Sequence, residues 1–145
     1  MLIREGSTIM QIATEVYGPN KLLALDLIKE LNTQIENLNR VPAGQLLWLP
    51  PLGEETLVRR QPDGTYHLIL GSFSRVPEAE QLAQQVRRKG YKVETIPRRM
   101  WGTFALRRVE IVGLKNVAAA RQAWQAARAG QWVPYAGNPP QPYTP

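Results

Sequence analysis

The side chains that could do chemistry in this 145-residue chain are few, and they do not form a catalytic set. Cysteine is absent and His67 is the single histidine, which argues against disulfides and metal sites. Glu54-Glu55 lies between periodic segments, whereas a glycosidase needs two carboxylates that flank one bond. Asp26 and Glu30 share one face of a predicted helix, where exposure to solvent is the simpler interpretation. With no nucleophile–base set and no Gly-rich phosphate loop, the sequence predicts no catalysis, no cofactor and no metal.

The remaining candidates are arginines and aromatic residues, which are suited to binding. The net charge is +6, and most of the Arg and Lys residues lie in residues 61–133, whereas residues 1–52 are close to neutral. Such a basic region favours anionic partners, including nucleic acid, anionic lipid and acidic wall polymers. Adjacent pairs such as Arg107-Arg108 point to opposite sides of a strand, so they do not form one continuous patch.

Length and hydropathy limit the number of domains and the class of protein. The chain has room for one ordinary domain or two small ones, and 43% hydrophobic residues is typical of a folded protein. No apolar run approaches the roughly 20 residues that cross a bilayer, so no membrane insertion is expected in this segment. Because a strand is predicted from Leu2, no signal peptide is visible, and we expect a segment of a longer polypeptide or export arranged elsewhere.

The N-terminal third predicts two short helices between two strands. Ser7 is a candidate N-cap, and Gly18-Pro19-Asn20 predicts the end of the first helix. The predicted elements are strand Leu2–Arg4, helix Ser7–Tyr17, helix Lys21–Leu31, a loop over 34–42 and strand Leu46–Leu49, which should pair with the first strand.

Over residues 1–50, a series of short matches resembles the lysin motif (LysM). The matches are Gly6-Ser7-Thr8-Ile9, Ile12-Ala13, Tyr17-Gly18, Asn32 and Ala43-Gly44-Gln45, closing on Leu47-Trp48-Leu49-Pro50. The resemblance implies a βααβ fold that binds N-acetylglucosamine-containing glycans. It places the glycan groove at Gly6, Ser7, Thr8, Ile9, Asn32, Thr33, Gln34 and Ile35.

The rest of the chain predicts a second unit after a Pro- and Gly-punctuated segment, residues 52–64. We interpret this segment as an exposed linker, with a short strand at Thr56-Leu57-Val58 as the alternative. Period-two and helical patterns then alternate in the order βαββαβ, an antiparallel sheet with two helices on one face. Trp124 has the spacing of a core residue on the second of these helices. The predicted elements are strand 65–71, helix 77–89, strands 91–97 and 104–112, helix 116–129, strand 132–135 and a disordered tail over 136–145.

This second unit resembles the sporulation-related repeat (SPOR). The matching residues are Leu68-Ile69-Leu70-Gly71-Ser72-Phe73, Glu78-Ala79-Glu80, Gly90-Tyr91 and Arg108-Val109-Glu110-Ile111-Val112-Gly113, the last with one extra residue that predicts a β-bulge. The resemblance implies binding of wall glycan strands, stripped of their stem peptides, across the open face of the sheet. The residues predicted for that face are His67, Ile69, Ser72, Trp101, Phe104 and Arg108.

The sequence therefore predicts an α+β protein with a LysM-like domain at 1–51, a linker at 52–64 and a SPOR-like domain at 65–135. We interpret it as a non-catalytic peptidoglycan-binding segment that tethers a larger envelope or periplasmic protein. Two alternatives stay open at this point. The basic sheet with Trp101 and Phe104 also fits single-stranded RNA binding. A protein-interaction scaffold that has lost its sugar sites is the other, because Ser7, Thr33 and Ile69 depart from the two family patterns.

Overall fold

A four-stranded antiparallel sheet is the centre of the fold. The structure is a computed structural model that describes residues 8–35, 38–40 and 43–133. The sheet order is β1-β2-β4-β3. The strands are β1 (Val58–Arg60), β2 (Tyr66–Phe73), β3 (Lys92–Trp101) and β4 (Phe104–Leu114). The helices are α1 (Ile9–Tyr17), α2 (Lys21–Leu31), α3 (Glu54–Leu57), α4 (Val76–Arg87) and α5 (Val117–Ala129), with 3-10 turns at Gly18–Asn20 and Leu38–Arg40.

Helices α4 and α5 cover one side of this sheet, which we call the back face. Their buried stripes are rich in alanine, which lets the helix backbones approach the strands closely. The Asn116 side chain accepts a hydrogen bond from the Ala119 N–H at 2.8 Å and so fixes the start of α5. Trp124 is 8% exposed, which confirms its predicted place in the core. The α+β class and the two helices on this face are confirmed.

Strands β3 and β4 form a long hairpin that turns at Gly102, where φ is 53°. The predicted loop at 98–102 is wrong because β3 continues to Trp101. The predicted bulge is confirmed, because Leu68 pairs with Ile111 whereas Tyr66 pairs with Leu114, which leaves one extra residue on β4. Gly113 has φ 71° within this bulge, a conformation that favours glycine.

The segment predicted as an exposed linker is partly built into the sheet. Leu52 and Leu57 are buried, α3 makes one helical turn, and β1 pairs with β2 through Arg59 opposite His67. The sequence favoured a linker over a strand because this strand has only three residues between turn signals, and β1 lies at Val58–Arg60 rather than at 56–58. The final strand predicted at 132–135 is also wrong where it is described, since Trp132 and Val133 are not in a strand. The fourth strand of the sheet is β1, which pairs with β2 at its outer edge.

Residues 8–50 form an N-terminal unit around α1 and α2. Helix α1 begins at Ile9 rather than Ser7, because Thr8 and Gln11 cap it reciprocally at 3.1 and 3.0 Å. The Tyr17 hydroxyl donates to the Pro50 carbonyl at 2.6 Å, which holds the end of the unit against the helices. Of the strand predicted at 46–49, only Leu46 forms a β-bridge. The predicted strand 2–4, Gly6, Ser7 and the tail 136–145 lie outside the described residues.

The second side of the sheet, which we call the front face, carries His67, Ile69, Ser72, Arg108 and Glu110. These residues share one side because strand residues alternate and Ser72 pairs with Arg108, Ile69 with Glu110. Helix α2 lies on this side and contacts β2, β3 and β4. The open face implied by the family resemblance is therefore covered in this structure, a correction to the expectation. In the part of the chain that the structure describes, no helix has the length and apolar character required to span a bilayer.

Candidate functional site

The middle of the front face is the place where α2 meets the sheet through charged groups. Asp26 is fully buried there. Its carboxylate accepts hydrogen bonds from Ser72 Oγ at 2.8 Å, Arg98 Nε at 2.9 Å and Arg108 Nε at 2.7 Å. The carboxylate thus occupies the point on the sheet where the predicted ligand-binding residues Ser72 and Arg108 converge.

Glu30 lies one helical turn beyond Asp26 and extends the same contact. It accepts a hydrogen bond from Arg98 Nη2 at 3.0 Å and is also ion-paired with Arg59 and Arg108. Because i and i+4 side chains project from the same side of a helix, both carboxylates reach the sheet together. We call Asp26, Glu30, Arg59, Arg98 and Arg108 the ionic cluster.

The charged groups of the ionic cluster shift one another's pKa values. Burial alone would raise the pKa of Asp26, but hydrogen bonding and charge from Arg108, with Ser72 and Arg98, hold that pKa below its ordinary value. Burial opposes ionisation of Glu30 as well, and the Arg59 hydrogen bond and the Arg108 charge lower its pKa. Burial disfavours the charged form of Arg108, yet Asp26 and Glu30 raise its pKa. All three groups are therefore charged at neutral pH.

His67 and Ile69 complete the covered part of the front face. His67 Nδ1 lies 3.1 Å from Glu110 Oε2, and Glu110 Oε1 lies 3.4 Å from Arg108 Nη1. Ile69 is fully buried. The prediction that His67, Ile69, Ser72 and Arg108 share one face matches the geometry, but α2 separates most of this surface from solvent. Whether they bind glycan stays a prediction.

Trp101 and Phe104 lie at the hairpin end of β3 and β4. Their ring centroids are 5.0 Å apart with an interplanar angle of 62°, an edge-to-face pair. Phe104 shares the front side with Leu106 and Arg108 by strand alternation. Both rings are half-buried, so part of each aromatic surface stays accessible beside the ionic cluster. Flat apolar surface next to arginines is suited to a sugar ring that also carries an acidic group.

The groove predicted in the N-terminal unit is described only in part. Thr8 is used in the helix cap, and Ile9 is 3% exposed, so it contributes to the core. Asn32 is also buried, and its amide bonds to the Ile28 carbonyl and to the backbone N–H and C=O of Trp48. These contacts favour a structural role for Asn32. Thr33 and Gln34 are exposed and Ile35 is half-buried, while Gly6 and Ser7 lie outside the described residues.

Sequence reasoning missed Asp26, Glu30, Arg59 and Arg98 as parts of the site. The interpretation of Asp26 and Glu30 as solvated side chains is wrong, because the helix presents them to arginines. A signal was present: Asp26 interrupts the run Leu22-Leu23-Ala24-Leu25-Asp26-Leu27-Ile28, and a carboxylate within so apolar a helix indicates a buried partner. The partner itself was hidden, since Arg98 and Arg108 are distant in sequence and meet only in the sheet.

One comparison with known proteins found a family match, and it lies in the sheet region. Residues 62–104 match the family model described as SPOR domain. This match covers β2, α4 and β3, and SPOR domains are a peptidoglycan-binding family. The match does not extend into residues 1–51, and nothing found here supports the lysin-motif prediction. Searches of curated proteins and of solved structures found no match to the chain.

Proposed function

We propose that this chain is a non-catalytic peptidoglycan-binding segment whose SPOR-like sheet binds glycan strands with its front face. Binding would localise an attached protein at the bacterial cell wall, in the periplasm or cell envelope. The observation that carries the proposal is the SPOR match over 62–104 on a sheet whose front face gathers Ser72, Arg98 and Arg108. Hydroxyl and guanidinium donors at one point fit the hydroxyls and carboxylates of an amino-sugar polymer.

The aromatic pair supplies the second element of the proposed site. Trp101 and Phe104 offer ring faces on which a pyranose can stack, next to the polar donors of β4. The RNA-binding alternative rests on the basic charge and the aromatic pair alone. The SPOR match over 62–104 supports glycan, which is therefore the ligand that we propose.

Co-sedimentation of the full chain with purified sacculi tests the proposal. We expect more pelleting after an amidase has removed the stem peptides, because stripped strands expose the backbone sugars. Trp101→Ala/Phe104→Ala should lose most of this pelleting, whereas Val117→Ala, an exposed position on α5, should keep it. Equal pelleting of the double variant and the wild type, or no pelleting with either preparation, would reject the site.

A weaker glycan site in the N-terminal unit forms part of the proposal. The proposal of this second site rests on the lysin-motif resemblance of the sequence, on the exposed Thr33 and Gln34, and on Trp48, which bonds to Asn32 through its backbone and is 62% exposed. Two sites on one chain would raise the overall affinity through effective concentration. Titration with chitin oligomers should shift the fluorescence of Trp48, and Trp48→Leu should remove that shift. An unchanged signal in the wild type would contradict this second site.

A further inference from the structure

Helix α2 places two acidic side chains where the proposed glycan site has its arginines. The Asp26 carboxylate accepts from Ser72, Arg98 and Arg108 at 2.7 to 2.9 Å, and Glu30 pairs with Arg59, Arg98 and Arg108. These arginines and Ser72 form the polar centre of the front face. A carboxylate-bearing sugar polymer and α2 would therefore compete for the same donors.

From this overlap we propose that α2 is a built-in cap for the glycan-binding face. Asp26 and Glu30 imitate the carboxylates of a wall glycan, and a strand that carries lactyl carboxylates displaces the helix and binds the same arginines. The chain then has a closed form, seen in this structure, and an open form that binds. This inference rests on the proposed function and adds its regulation.

The contacts of α2 differ in kind on its two sides. Within the N-terminal unit, Tyr17 bonds to Pro50 and Asn32 to Trp48, so the end of the unit is tied to its own helices. Toward the sheet, the contact combines the ionic cluster, a hydrogen bond from Lys29 to the Arg99 carbonyl and apolar packing, because buried residues of α2 and of the strands belong to one core cluster. In the proposed open form, the N-terminal unit moves away from the front face as one body, and the connection at residues 51–53 releases the buried Leu52.

Energetics favour an exchange of this kind. The net gain from a buried ion pair is small, because removing both charges from water opposes their attraction. Removing one partner alone leaves an uncompensated charge and is strongly unfavourable. A ligand carboxylate that replaces Asp26 keeps the arginines paired and returns Asp26 to water. Displacement by an acidic glycan is therefore far easier than opening without a ligand.

Distance measurement on the full chain tests the cap. Because the chain has no cysteine, Thr14→Cys on α1 and Gln84→Cys on α4 provide two exposed positions for a donor and an acceptor fluorophore. The Thr14 hydroxyl bonds only to the Met10 carbonyl of its own helix, so little is lost. We expect the distance between the labels to increase when soluble, amidase-stripped glycan strands are added.

A second variant changes the cap while leaving the arginines in place. Asp26→Asn/Glu30→Gln removes both of the charges that imitate the glycan. We expect this variant to populate the open form without ligand and to bind stripped glycan about tenfold more tightly, because the apparent Kd falls as the fraction of open protein rises. Glu55→Gln/Glu78→Gln is the matched control, since it changes the net charge equally at exposed positions outside the cluster. The control should keep the wild-type affinity and the wild-type response of the labels.

The outcomes separate the cap from the proposed function. Glycan binding with no change in label distance, or equal affinity of the Asp26/Glu30 variant and its control, would overturn the cap and leave the binding function standing. Absence of binding by both the wild type and the Asp26/Glu30 variant would reject the binding function itself. If that variant fails to fold, the labelled chain with its native carboxylates still decides the question.

Discussion

The two faces of the sheet are covered in different ways. Helices α4 and α5 pack on the back face through alanines, Val86 and Trp124, all of them apolar. Helix α2 meets the front face at Asp26 and Glu30, which pair with arginines of three strands. Apolar packing is lost only when the fold is lost, whereas an ionic contact has competitors in solution. In the proposed account, the back face is permanent and the front face, which also shares the apolar core, is exchangeable.

The back face should show the largest effect of a single substitution. Trp124→Ala removes a large buried ring, and we expect it to reduce the free energy of unfolding by about 3–5 kcal/mol. Val117→Ala on the same helix is 56% exposed and should change it by less than about 0.5 kcal/mol. Urea unfolding of both variants is the measurement. A small effect of Trp124→Ala would show that α5 is not part of the permanent core.

Breaking the ionic cluster should act mainly on the front face. Asp26→Leu removes the most deeply buried of the three carboxylate partners of Arg108 and should cost about 3 kcal/mol. Asp26→Leu/Arg108→Met should cost less than the sum of the two single changes. Hydrogen exchange should rise first in α2 while β2 and β4 stay protected. Equal loss of protection in the sheet and in α2 would remove the distinction between the two faces.

Low pH should weaken the contact at the front face and leave the packing of the back face unchanged. The folded-state pKa values of Asp26 and Glu30 lie below the ordinary 3.8 and 4.5, so their ionised forms stabilise the closed form above those values. This stability is lost as the pH falls through the lowered folded-state values, while Arg108, whose pKa is raised, stays charged. Label distance should therefore increase below about pH 4.

Two variants check the origin of this acid response. Asp26→Asn/Glu30→Gln should flatten the pH dependence of the label distance, because the titrating groups are gone. Asp63→Asn removes an exposed carboxylate whose pKa is lowered by its hydrogen bonds to Thr65, and it should leave the response intact. A response that Asp63→Asn abolishes would contradict the assignment to the ionic cluster.

The smallest expected effect lies within the N-terminal unit, away from both faces. Thr8→Ala removes the reciprocal cap of α1 and should destabilise the unit by about 1 kcal/mol. Thr8→Ser keeps the hydroxyl and should restore most of the loss. Circular dichroism during thermal unfolding is the measurement, and equal melting of both variants would show that the cap contributes nothing.

Local patterns in the sequence predict much of this fold. The helix predicted at 77–89 and the core spacing of Trp124 each depend on neighbours within one element. The helix is present as Val76–Arg87, two residues short of its predicted end, and Trp124 is buried. Strand β1 was predicted only as an alternative to a linker, because three residues carry too little periodicity. Which segment pairs with the outer edge of β2 also depends on tertiary contacts, which no local pattern contains.

The candidate site was less accessible to sequence reasoning for a physical reason. The family resemblance placed Ser72 and Arg108 on one face of the sheet, and the structure brings them together at Asp26. Whether that face is covered depends on how the N-terminal unit packs against the sheet. This packing joins residues that are distant in sequence, so no local pattern predicts it. The apolar helix around Asp26 carried the only local hint that this carboxylate is buried.

Chemical-shift mapping of the full chain with soluble stripped glycan strands tests the central claim most directly. We predict perturbations at Ser72, Phe104 and Arg108 together with Asp26 and Glu30, because one event fills the front face and releases α2. Perturbations confined to α4 and α5, with the front face and α2 unchanged, would contradict the account.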